Sequence, residues 1–86
     1  MLIIGCDFHS RFQQIALLDT ETGVVEGRRL EHENGEAQAF YAGLQEPALV
    51  GIESMGYTQW FEELLAACGH ELVVGDAAKI RKMEAG

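Results

Sequence analysis

The chain opens on an apolar run, Leu2-Ile3-Ile4-Gly5-Cys6-Asp7-Phe8, which reads as a strand with a polar residue only near its tip. A second strand is predicted over residues 13–19, carried by Ile15, Ala16, Leu17 and Leu18. Thr20-Glu21-Thr22-Gly23 has hairpin turn chemistry, and residues 24–33 alternate weakly before turning polar, as an edge strand does. The first third therefore predicts a three-stranded antiparallel meander. Ala37, Phe40, Tyr41 and Leu44 then recur at helical spacing, with Asn34 as N-cap and Pro47 as the stop. Ala48–Glu53 is a compact apolar strand. Tyr57, Trp60, Phe61, Leu64, Leu65 and Cys68 stripe a second helix, begun by a Thr58 cap and closed by Gly69. Residues 71–74 give another apolar strand, and Gly75-Asp76 opens a last helix with Ile80 and Met83 inward.

This order, a meander followed by α-β-α-β and the start of a helix, predicts an α/β sheet. The free side of the first strand is the natural place for the Ala48–Glu53 strand, running parallel to it. A chain of 86 residues holds one domain, spanning 1–86, and no repeat or linker divides it. A complete fold of this length buries only about 60–65% of its unfolded surface.

No apolar run reaches the roughly 18 residues of a membrane span, so no membrane association is expected. The first residues lack the basic region of a signal peptide. Cys6 and Cys68 are too few for a disulfide scaffold and read as reduced and buried, which points to the cytoplasm. The net charge is −8, from 14 acidic and 6 basic residues. Such a balance argues against a free-standing nucleic-acid module, which needs cations for phosphates. The sign reverses near the end, at Lys79, Arg81 and Lys82, which read as the start of a nucleic-acid surface or as a solvated helix end.

Period-two alternation puts Ile3, Gly5, Asp7 and His9 on one face of the first strand, and Leu49, Gly51 and Glu53 on one face of the fourth. If these strands are parallel neighbours, Asp7 and Glu53 emerge together at the carboxyl edge, where open α/β sheets place their sites. Two adjacent carboxylates repel unless protonated or bridged by a cation. Mg²⁺ (or Mn²⁺) takes oxygen ligands and suits such a pair together with phosphate oxygens. The competing reading is a pair of solvated strand ends.

Ile4-Gly5-Cys6-Asp7-Phe8-His9, Ala16-Leu17-Leu18-Asp19, Ile52-Glu53-Ser54-Met55-Gly56-Tyr57 with Trp60, and Val73-Val74-Gly75-Asp76-Ala77-Ala78-Lys79-Ile80-Arg81 resemble the amino-terminal part of the DEDD-type insertion-sequence transposases, the bridge-RNA-guided recombinases. The resemblance runs over essentially the whole chain. It implies a RuvC-like catalytic domain of RNase H-like fold, incomplete here, with Asp7 and Glu53 as the first two acids of a tetrad. It implies two further aspartates on a following helix, and a separate carboxyl-terminal domain with a nucleophilic serine. The implied activity is cutting and rejoining DNA with Mg²⁺, and the implied partners are DNA and a structured guide RNA. Because the chain reaches Gly86 before any further aspartate pair, it is expected to cleave no strand alone.

His9 shares the face of Asp7; it reads as a packing or loop contact, with metal or phosphate binding as the alternative. Ser54 is a candidate hydrogen-bond donor at the site, and Gly56 a place where backbone can approach metal or substrate, or a plain turn. His32 and His70 read as surface residues, and Trp60 and Phe61 as core. A rival class is a phosphotransferase half-domain of the actin and sugar-kinase type. Its first hairpin must cradle phosphates, whereas Phe8-His9-Ser10-Arg11-Phe12 is bulky and without glycine. A third reading is non-enzymatic: a remnant that self-associates into a homodimer through apolar surface on the second helix and last strand.

Overall fold

A computed structural model describes residues 1–53 and 59–75. Five strands, β1 (Leu2–Phe8), β2 (Phe12–Asp19), β3 (Val25–Glu31), β4 (Ala48–Glu53) and β5 (Glu71–Gly75), form one mixed sheet in the order β3-β2-β1-β4-β5. The meander β1-β2-β3 is antiparallel throughout. β4 joins the free side of β1 in parallel, and β5 continues in parallel beyond it. Helices α1 (Glu36–Ala42) and α2 (Gln59–Ala67) make the two crossovers. The predicted α/β architecture holds for the described residues.

Both helices cover the same face of the sheet. Ile4, Cys6 and Phe8 of β1 and Val50 and Ile52 of β4 meet Ala37 and Tyr41 of α1 and Phe61 and Leu65 of α2. Strand parity sets this division, because consecutive residues point to opposite faces. On the other face β1 carries Gly5 and Asp7, β2 carries Gln14 and β3 carries Arg29.

Several local expectations change. Asn34 does not cap α1. It sits in the left-handed region at φ 63° within a 3-10 turn over Glu33–Gly35, and the helix starts only at Glu36 with no side-chain cap. The Glu36 carboxylate instead folds back and accepts the Glu31 amide at 3.1 Å. α1 also ends before Pro47, at a Gly43 cap whose amide donates to the Ala39 carbonyl at 3.0 Å. Pro47 marks the entry to β4 instead. Gly69 does close α2: at φ +79° it lets its own amide reach the Ala66 carbonyl and the His70 amide the Leu65 carbonyl, a Schellman ending. The Thr58 cap, Ile80 and Met83 lie outside the described residues.

The largest departure is polar. Gln13 is fully buried, and His70, read as a surface residue, is 8% exposed. The Gln13 carbonyl oxygen accepts from the Tyr41 hydroxyl at 2.5 Å and the Cys6 thiol at 3.4 Å, and its amide nitrogen meets His32 Nε2 at 3.2 Å. His32 is only half-buried, wedged against Phe8 and Trp60. Trp60 departs from the core reading as well: 40% of it is exposed, while its neighbour Phe61 is fully enclosed. Cys68 is half-buried where Cys6 is buried. No described helix is long and apolar enough to cross a membrane.

Candidate active site

β1 and β4 pair in parallel as Leu2 with Ala48, Ile4 with Val50 and Cys6 with Ile52. The same offset carried one residue further sets Asp7 against Glu53, the last residue of β4. Their hydrophobic neighbours explain the arrangement. Ile4, Cys6, Val50 and Ile52 must face the helices, so the residues between them turn outward. Asp7 and Glu53 are therefore both exposed, on the face opposite the helices, at the carboxyl end of two adjacent strands.

Asp7 has a neighbour at hydrogen-bond range. His9 Nε2 lies 3.1 Å from Asp7 Oδ2, at the start of the hairpin that joins β1 to β2. That hairpin is closed by the His9 amide, which donates to the Phe12 carbonyl at 2.9 Å. The His9 ring stacks on Phe12 with centroids 4.5 Å apart, and the Arg29 guanidinium lies 3.7 Å from the same ring centre. Arg29 in turn pairs with Glu31 at 2.9 Å.

The sheet register places these groups in a row. Arg29 pairs with Gln14 across β3 and β2, and Gln14 with Asp7 across β2 and β1. Glu53 follows on β4. On the open face the row thus runs from guanidinium through amide to two carboxylates.

The donor set fits a hard divalent cation: two carboxylates at neighbouring strand ends supply the oxygen ligands that Mg²⁺ or Mn²⁺ takes. Among the described residues no three His, Cys, Asp or Glu side chains group as a metal site. A cation held by Asp7 and Glu53 would draw its remaining ligands from water or from substrate oxygens.

The other sequence-derived candidates are placed as follows. His9 lies beside Asp7. Ser54, Gly56, Lys79, Arg81 and Lys82 lie outside the described residues. Gln14 and Arg29, which share the row, escaped the sequence reading. A polar alternation along β2 and β3 was their signal, and it reads equally as the solvated face of an edge hairpin.

On the opposite face, burial, aided by the charge of Asp7, pushes the Cys6 thiol up to about 12, so it stays protonated and unreactive. The Tyr41 phenol is likewise raised, first by burial and then by Cys6. Neither group faces the carboxylate edge.

No family profile matches the chain, and no curated protein resembles it in sequence. Its fold is similar to that of a chain in the simian T-cell lymphotropic virus intasome in complex with PP2A regulatory subunit B56 gamma, with a TM-score of 0.52. The two are 15% identical in sequence; the match takes in 95% of this chain and 37% of that one. The chain is thus an α/β unit of five strands and two helices whose fold recurs in that assembly.

Proposed function

We propose that the chain is the amino-terminal part of an RNase H-like (RuvC-like) catalytic domain of a DNA transposase or recombinase. In this reading Asp7 and Glu53 are the first two acids that hold Mg²⁺ at the scissile phosphate. One observation carries it: β1 and β4 are parallel neighbours paired as far as Cys6 with Ile52, and the next residue of each strand is Asp7 and Glu53. The transposase-like motifs around both residues and a fold shared with an intasome chain support it. DNA and a guide RNA are the partners this reading brings with it.

Bound Mg²⁺ supplies positive charge against the phosphate oxygens during strand cutting and rejoining. The residues of this chain do the holding. Asp7 and Glu53 would offer carboxylate oxygens from a rigid sheet, and His9, 3.1 Å from Oδ2 of Asp7, would help to orient that carboxylate. The phosphotransferase alternative fares less well, because the β1–β2 hairpin is a tight turn of His9, Ser10, Arg11 and Phe12 with no glycine to admit a phosphate chain.

Titration with Mn²⁺, a paramagnetic stand-in for Mg²⁺, tests the pair. The amide signals of Asp7 and Glu53 are expected to broaden first, and Asp7→Asn or Glu53→Gln to abolish that selectivity. Broadening that spares the strand ends, or that persists in both variants, refutes the assignment.

A further inference from the structure

Beside the carboxylate pair, on the same open face, lies a cleft of about 530 Å³ lined by His9, Ser10, Arg11, Phe12 and Arg29, with Glu31 and Glu33. We propose that this cleft docks an unpaired nucleic-acid strand, stacking a base on the His9–Phe12–Arg29 column and taking a phosphate on Arg11. The proposal rests on the phosphodiester reading above and adds to it the place where the strand next to the scissile bond is held.

The column is the first support. His9 and the Arg29 guanidinium both lie against the Phe12 ring, and their side chains are 47% and 55% exposed. Two half-open flat groups on a fixed aromatic centre form a ready stack for another flat ring. A base inside a duplex has both faces taken by its neighbours, so the column favours an unpaired base.

Charge is the second. Arg28 is paired with Glu26 and Arg29 with Glu31, whereas Arg11 meets no carboxylate within ion-pair distance among the described residues. Arg11 stands at the hairpin tip just past the carboxyl end of β1, with its forked donors suited to phosphate. Glu31 is already paired with Arg29, and among the described residues Glu33 is the other acid lining the cleft.

Distance is the third. Arg29, Gln14 and Asp7 sit in one register row on adjacent strands. Two strand spacings, about 10 Å, separate the arginine from the aspartate, within the reach of one neighbouring nucleotide. Gln14 lies between them, exposed, with an amide able to meet the strand backbone.

The overall charge of −8 opposes any nucleic acid, but at about 0.1 M salt the screening length is near 10 Å, so the cleft itself decides. The test is a ¹⁵N NMR titration with oligothymidylate of about twelve nucleotides in EDTA, beside a duplex of equal length. Shifts confined to residues 9–12 and Arg29, with the duplex weaker, are expected. Phe12→Ala is expected to weaken binding about 10-fold, and Arg11→Gln, at an exposed turn, about 3-fold. Shifts elsewhere, equal binding of duplex, or wild-type affinity in Arg11→Gln and in a folded Phe12→Ala overturns the proposal. Oligonucleotide binding without selective Mn²⁺ broadening at Asp7 and Glu53 keeps the cleft and removes the catalytic reading.

Discussion

His70 ties the end of α1 to the start of β4: its Nε2 lies 2.8 Å from the Tyr41 carbonyl, and its Nδ1 accepts the Ala48 amide at 3.0 Å. The second contact fixes Nδ1 as the lone pair, so Nε2 carries the proton and donates. Both backbone groups lie in the buried gap between α1 and the sheet, where an unpartnered amide or carbonyl costs about 1–3 kcal/mol. His70→Ala is therefore expected to lower unfolding free energy by about 2–4 kcal/mol, read as a lower urea midpoint. A midpoint equal to wild type would show that water replaces the ring.

Gln13 joins three elements, and its partners fix one another's protons. His32 Nδ1 faces the Ser10 carbonyl at 3.3 Å, which can only accept, so Nδ1 bears the hydrogen. His32 Nε2 is then the acceptor of the Gln13 amide, and the Gln13 oxygen is left for Tyr41 and Cys6. Imidazole ¹⁵N shifts are expected to report a neutral Nδ1–H tautomer for His32 and the opposite tautomer for His70. Tyr41→Phe removes the better donor to the Gln13 oxygen and should cost about 1–2 kcal/mol by urea unfolding.

These two networks mark where the sequence stops being legible. Strand topology can be read along the chain, because runs such as Leu2-Ile3-Ile4 and Ala48-Leu49-Val50 are local signals. Period two also orients Asp7 and Glu53 correctly. Gln13 and His70 are buried by partners 28 and 29 residues away, contributed by Tyr41, so nothing in their own neighbourhoods announces it. Asn34 misleads for a related reason. Its preference for a cap competes with its tolerance of positive φ, and the tight exit from β3 selects the latter. Trp60 sits on the helical stripe, yet its ring lies against Phe8 and the half-buried His32 and stays partly exposed.

The carboxylate edge should behave as a site that costs stability rather than adding to it. Asp7 and Glu53 are like charges on neighbouring strands, and the His9 contact of Asp7 is exposed and worth little. Asp7→Asn and Glu53→Gln are each expected to leave the melting temperature unchanged or raise it without Mg²⁺. Added Mg²⁺ should raise that of the wild type and of neither variant. A drop of several degrees in either variant would instead assign these residues a structural role.

Alkaline pH should unfold the chain through Cys6. Its thiol, with an ordinary value of 9.0, is pushed up to about 12 in the folded state, by burial first and by Asp7 second. Above pH 9 the unfolded chain releases this proton while the folded chain keeps it. Deprotonation therefore favours unfolding, and stability that is fully present below pH 9 falls as pH rises toward 12. The slope approaches about 1.4 kcal/mol per pH unit for one such group. Tyr41, raised in the same direction, adds to the loss at the upper end. Cys6→Ser keeps a donor for the Gln13 oxygen and removes the titration, so its urea midpoint should fall less steeply between pH 9 and 10.5, by up to ~1.4 kcal/mol per unit. A thiol reagent at pH 8 should label the half-buried Cys68 first, with Cys6 reacting only as the fold opens. Equal labelling rates, or parallel alkaline profiles for wild type and Cys6→Ser, would mean that the Cys6 thiol ionises as readily in the folded chain as in the unfolded one.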